Sequence, residues 1–332
     1  VRGEAEQLSL PTLQLYRPLF SSFVYIVHRT GGFELITIFK YILPFLFILV
    51  LFPLTLIARL FSSRIMQLVL FLIPFSSASF LLYSTMPIPQ SILNIVLTYF
   101  ICLLLHAYFS KNVFFYFFSG ALLLPMYFYH EAAILIFIVW LTVTIFFYNR
   151  HIRTSFSNNP LLWILLFVCI LSNLEHVTLL MGFIKNWLVR MAQAVTVWQT
   201  NFSFPLAYVN VDGRSVGWGN GMGILKYYAF YAGPAALLAL GAYLVSFRRT
   251  FATVRHVRSI SKELWVFGLC SVLFLTLAEI LPRVLSVAFL PERSWGFAGL
   301  FILAFIPILI RKSNPIAARI IAILFLGALC IN

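Results

Sequence analysis

The sequence predicts an all-α protein: a polytopic transmembrane bundle of about ten spans, with short interfacial helices on its outer face. Three observations carry that reading. Apolar residues fill 62% of the 332 positions and charged residues 10%, against about 25% charge in an average soluble domain. The mean hydropathy of +0.99 leaves too little polar surface to wrap a water-soluble core. The apolar residues also fall in blocks close to the roughly 20 positions that a helix needs to cross a bilayer core. The 36 Phe and 15 Tyr exclude a disordered chain.

Taken in order, residues 1–35 read as an extracytoplasmic segment. Within it, Pro18 to Val27 and Phe33 to Ile36 are expected to form two short amphipathic helices at the interface. Residues 36–332 form the transmembrane domain. Its candidate spans are 36–59, 65–84, 89–109, 112–129, 131–149, 160–180, 226–247, 263–290, 294–311 and 315–331. Only Tyr129-His130-Glu131 separates the fourth span from the fifth, which predicts a tight helical hairpin. The eighth span is long and broken at Pro282, where the ring removes a helix hydrogen bond. An outer loop covers 181–225. It starts with an amphipathic run from Ile184 to Arg190 and ends in the glycine-dense stretch Val211 to Gly221, expected to be a flexible loop. That stretch lacks the spacing of a phosphate-binding loop. No internal repeat accompanies the spans, which counts against transporters built from repeats.

Charge orients the bundle. With residues 1–35 outside the cytoplasm, the inner loops hold Arg59, Arg64, Lys111, Arg150, Arg153, Arg248, Arg249, Arg255, Arg258, Lys262, Arg311 and Lys312, and Arg319 enters the last span. The short outer loops at 84–89 and 130 hold no Lys or Arg, as the positive-inside rule requires. The acids lie the other way: Glu4, Glu6, Glu34, Glu131, Glu175, Asp212, Glu279 and Glu292 fall outside, and Glu263 alone inside.

A formal charge of +14 could point to nucleic acid, but the basic residues are scattered between apolar blocks with no basic stripe, so no nucleic-acid partner is expected. Cys102, Cys169, Cys270 and Cys330 all lie in apolar segments and read as small hydrophobes. No HExxH, Walker or DxD sequence is present.

The chemistry then rests on ionisable groups at outer helix ends, where burial in lipid is costly. His130 and Glu131 at the hairpin tip can bind a metal, hold a lipid phosphate or move a proton; equally, they make a polar tip with Glu131 favourably placed at a helix N-terminus. Glu175-His176 poses the same choice at the end of the sixth span. Asp212, Arg214 and Trp218 in the glycine-rich loop are candidate sugar contacts, and loop solvation or interfacial anchoring explains them as well. The turn Leu290-Pro291-Glu292-Arg293-Ser294-Trp295 is the strongest signal. Arg293 and Arg283 can hold a phosphate or pyrophosphate bidentately, beside Glu292 and Glu279, whereas isolated arginines would simply snorkel to the headgroups.

In arrangement the chain resembles the membrane-embedded GT-C glycosyltransferases, the superfamily of oligosaccharyltransferases, protein mannosyltransferases and bacterial lipid-linked sugar transferases. The matching residues are Pro18 to Phe23 through Thr30-Gly31-Gly32, which look like the outer amphipathic segment after that family's first helix; Pro87-Ile88-Pro89-Gln90 at the start of a span; His130 at the hairpin; and Pro291-Glu292-Arg293 before a late span. The resemblance implies transfer of a sugar from a polyprenyl-phosphate carrier to a glycan, lipid or protein acceptor at the extracytoplasmic face of the plasma membrane. In the family, a carboxylate of the first outer loop, usually Asp, activates the acceptor or holds a divalent cation, while positive groups from later loops hold the carrier phosphate. On this chain Arg283 and Arg293 fit the phosphate role. The family's first helix and its Asp have no counterpart in these residues, so Glu4 or Glu6 is left for the carboxylate role.

A lipid-linked-sugar transferase is therefore the leading expectation. A polysaccharide polymerase or ligase would share the outer arginines. A flippase for lipid-linked glycans would place charge along the middle of its spans, which these spans lack. A non-catalytic membrane scaffold is the remaining reading.

Overall fold

A computed structural model of the chain describes residues 18–61, 64–72, 84, 89–126, 130, 132–158, 189, 192, 207–209, 215–217, 261–280 and 291–312. Their helices are α1 (Pro18–Gly31), α2 (Leu35–Ala58), α3 (Arg64–Leu72), α4 (Pro89–Ser110), α5 (Val113–Met126), α6 (Ala132–Asn158), α7 (Lys262–Ile280), α8 (Pro291–Leu303) and α9 (Phe305–Lys312). Of these, α2, Gln90–Ser110 of α4, and α7 are long and apolar enough to cross a membrane, and shorter apolar helices lie at Val113–Leu123, Ala132–Tyr148 and Arg293–Ile308.

Proline placement explains where these helices deform. Pro44 has no N–H to offer the Lys40 carbonyl, and the turn before it widens into a π-helix, Ile38–Ile42, with Leu43 N–H bonded to the Ile38 carbonyl. Pro53 likewise cannot bond to the Leu49 carbonyl, and the chain tightens to a 3-10 turn over Phe47–Val50. The Leu49 oxygen accepts instead from the Tyr99 hydroxyl at 3.1 Å. Pro307 leaves the Leu303 carbonyl without its helical donor, and α8 gives way to α9 through a turn at Ala304. A second π segment, Thr276–Ile280, is the last described part of α7, and the expected break at Pro282 lies outside the described residues.

The sequence reading is modified at the N-terminal side. Pro18–Gly31 is one helix, ended by Gly32 at φ +65°, and the His28 Nδ1–H donates to the Phe33 carbonyl at 2.6 Å. Phe33 and Ile36 do not form a second short helix: Phe33 lies in the link and Ile36 already belongs to α2. The all-helical expectation also needs one amendment. Ala207–Val209 pairs antiparallel with Ser215–Gly217, so the glycine-dense stretch contributes a strand to a two-stranded ribbon.

Ring contacts give the helix directions. Ile92 packs with Ile38 and Leu43, Tyr99 stacks on Phe52, and Phe109 meets Phe61, so α2 and α4 run parallel. A turn at Lys111 (φ 58°) reverses the chain into α5, and Asn112 Oδ1 caps α5 by accepting from Phe114 N–H at 2.9 Å. Tyr116 stacks on Trp140 at 5.5 Å and its hydroxyl lies 3.0 Å from Thr144 Oγ1, making α5 and α6 antiparallel. Phe267 faces Phe305 while Phe274 faces Phe297 and Phe301, so α7 and α8–α9 are antiparallel too. Phe100 against Phe301 and His130 against Phe297 join the two groups. Consequently α2, α4, α6 and α8 all begin, and α7 ends, at one end of the bundle, called here the His130 end.

Both the interior and the rim are apolar. Leu93, Phe100, Tyr116, Phe267 and Phe301 are fully buried, yet Ile36, Phe45 and Phe146 are each 68% exposed and Phe114 is 65% exposed. A water-soluble bundle would turn polar faces outward; helices apolar on every side belong in lipid, where their backbone groups are satisfied internally. The chain is a helical membrane protein. The expected spans 160–180, 226–247 and 315–331 lie outside the described residues.

Candidate functional site

The His130 end gathers the described polar side chains that chemistry could use. His130 sits just ahead of α6, its N–H bonded to the Met126 carbonyl at 3.0 Å and its own carbonyl accepting from Ala133 N–H at 3.0 Å. Its Nδ1 accepts from Ala132 N–H at 3.1 Å, so the imidazole caps the first turn of α6. In the neutral ring that assigns the proton to Nε2. The ring packs edge-on against Phe297 of α8, with centroids 5.8 Å apart.

On α7 the π turn carries Glu279, whose Oε1 accepts from Trp295 Nε1–H at 2.8 Å. Trp295 is buried and Glu279 half-buried. A π turn re-aims side chains that a regular helix would space evenly, a device frequent at functional sites. Arg293, half-buried, and Ser294, buried, stand in the first turn of α8, whose helix dipole adds positive potential at that end. Glu292 lies in the same turn.

The α4 start adds polar groups that sequence reading passed over. Gln90, Ser91 and Asn94 are all buried within the first turns of α4, and Ser84 is buried beside them. Asn94 Nδ2–H donates to Ser84 Oγ at 2.9 Å. Asn94 Oδ1 and both polar atoms of the Gln90 carboxamide have no hydrogen-bond partner. Each such orphan costs about 1–3 kcal/mol, so their retention needs a reason. A buried amide on an apolar span was a signal the sequence did contain.

Several expected site residues fall elsewhere. Glu4, Glu6, Glu131, Asp212, Arg214, Trp218 and Arg283 lie outside the described residues, as do Glu175 and His176. The structure thus unites His130, Glu279, Trp295 and the Arg293 turn at one end. A divalent cation, which the family resemblance allows, finds no set of three His, Cys, Asp or Glu ligands among the described residues. His130 Nδ1 is already committed to α6 and Glu279 Oε1 to Trp295. The described residues therefore do not form a cation site, and no step is assigned to one.

At the opposite end, Lys262 and Glu263 were expected only to mark an inner basic loop. Glu263 is instead 3% exposed, with Lys262 Nζ 3.2 Å from its Oε1. The same ammonium lies 5.2 Å and 5.1 Å above the rings of Tyr116 and Tyr148. This caged ion pair ties the start of α7 to the α5–α6 hairpin.

Comparison with protein-family models, with characterised proteins and with solved structures finds no match to the chain.

Proposed function

We propose that the chain is an integral-membrane glycosyltransferase of about ten spans, similar to the GT-C superfamily, working at the extracytoplasmic face of the plasma membrane. It takes a sugar from a polyprenyl-phosphate carrier and passes it to a glycan, lipid or protein acceptor. The observation that supports this reading best is the convergence of Arg293, His130 and the Glu279–Trp295 pair at one end of an otherwise apolar bundle. Ionisable groups are expensive beside lipid, and three of them from separate helices at one end imply a shared task.

In this reading Arg293 and the positive start of α8 hold the carrier phosphate. A leaving phosphate gains negative charge as the glycosidic bond breaks, and a preorganised donor can lower that barrier by about 3 kcal/mol. The Trp295 indole N–H donates to Glu279 and compensates part of its charge. His130, whose imidazole caps α6 through Nδ1, stands at the same end as these groups and is assigned to the acceptor side of the site. The charge-free middles of the described spans speak against a flippase.

The test is transfer from a lipid-linked sugar by the full chain in membranes. Arg293→Ala is expected to abolish turnover with unchanged membrane abundance, and Arg255→Ala, in the basic stretch that the charge pattern assigns to the inner face, to leave turnover intact. Normal turnover in Arg293→Ala would exclude the phosphate role.

A further inference from the structure

We infer that the buried carboxamides of Gln90 and Asn94 form a subsite for a neutral, hydroxyl-bearing group, the sugar ring of the transferred donor. The inference deepens the transferase reading, on which it rests for the identity of that ring. Both side chains are fully buried, and the two residues are one helical turn apart on α4. Gln90 has an unpartnered donor and an unpartnered acceptor, while Asn94 is held on one side by Ser84 and unpartnered on the other. Asn94 precedes Phe100 by six residues and Trp295 precedes Phe301 by six, and Phe100 packs on Phe301 between parallel helices. Gln90 and Asn94 therefore lie at the depth of the Arg293 turn, at the same end of the bundle.

The chemistry of the orphan atoms selects the ligand. A carboxamide both donates and accepts, and a hydroxyl does the same, so hydroxyls complete the set in either orientation of the amides. A phosphate offers acceptors only and would leave the amide oxygens facing a negative charge. The division is then plain: charge is met at Arg293 and hydroxyls at Gln90 and Asn94. Neutral donors and acceptors without charge are also the cheaper way to read a polar ring at the edge of a lipid phase.

The full chain in phosphatidylcholine nanodiscs would be titrated with three single-chain probes: octyl β-glucoside, 1-O-octylglycerol and octyl phosphate. Octyl glucoside is expected to raise the unfolding midpoint saturably, and Gln90→Met and Asn94→Leu each to weaken its binding about tenfold or more. Gln90→Met is also expected to raise the midpoint without ligand, because it removes orphan atoms; a variant that kept its fold would thus be recognised directly. Equal binding of octylglycerol with the same dependence on Gln90 would keep the hydroxyl chemistry and assign it to a lipid glycerol rather than a sugar. Octyl glucoside affinity unchanged by both substitutions, or octyl phosphate affinity lost with them, would overturn the subsite. Arg293→Ala separates the two readings. If it alone abolishes turnover while the amide variants bind glucoside normally, the transferase stands and the subsite falls. If the amide variants lose glucoside and Arg293→Ala turns over normally, the phosphate role falls and the subsite stands.

Discussion

The Tyr99 hydroxyl of α4 donates to the Leu49 carbonyl of α2 at 3.1 Å, the carbonyl that Pro53 leaves without a helical partner. One helix thereby repairs a hydrogen bond that a proline removes from its neighbour, and the repair also locks the parallel register of the two. Inside a bilayer no water could do this.

Tyr99→Phe should therefore lower the unfolding midpoint in detergent, by the equivalent of about 1 kcal/mol. Pro53→Ala restores a backbone donor for Leu49, so Tyr99→Phe should cost much less in that background. Additive effects in the double-mutant cycle would mean that the two positions do not share that carbonyl.

Gly120 on α5 faces the Trp140 ring so closely that an added Cβ would overlap it. Gly120→Val is expected to cost about 1–3 kcal/mol and to shift Trp140 emission as the hairpin opens. Pairing it with Trp140→Leu should recover part of the loss. The readouts are thermal unfolding and intrinsic fluorescence.

The caged pair at the start of α7 predicts an asymmetric series. Lys262→Met leaves the Glu263 carboxylate buried without its cation, a situation that typically costs about 3–5 kcal/mol. Lys262→Met combined with Glu263→Leu should come close to the parent chain. Equal damage in the single and double variants would show that ring packing, rather than charge pairing, dominates there.

Trp295→Phe removes the indole donor at 2.8 Å from Glu279. A hydrogen bond to a charged group is worth about 1.5–3 kcal/mol, so the variant should melt earlier. Glu279→Gln keeps an acceptor oxygen without the charge and should melt between the parent and Trp295→Phe; if it melts as low as Trp295→Phe, the pair depends on charge and not on the bond alone.

At the tight α4–α5 turn, Lys111 adopts a left-handed backbone that glycine enters without strain. Lys111→Gly should keep or raise the midpoint, and Lys111→Val should lower it, because a β-branched residue is strained there. Both variants lose the contact of the ammonium with the Tyr108 ring at 4.6 Å, so their difference reports the backbone alone.

Sequence by itself determined the class of the protein and the hairpin tip at His130, and it holds the local causes of the turns and deformations that the structure shows. Composition and block length demand apolar helices, His130 and Lys111 fall at chain reversals, and Pro44, Pro53 and Pro307 each mark a deformation. These are local effects: a missing N–H or a polar break acts on residues four or five positions away. Tertiary structure decided the partners. Glu279 meets Trp295 across 16 residues of chain, Tyr99 meets Leu49 across 50, and Lys262 rests on Tyr116 and Tyr148 from a distant helix. In a helix apolar on every face, periodicity does not mark which side turns inward. Gln90 entered the sequence reading only as part of the Pro87-Ile88-Pro89-Gln90 turn and Asn94 not at all, and only their burial turns the two amides into a candidate site.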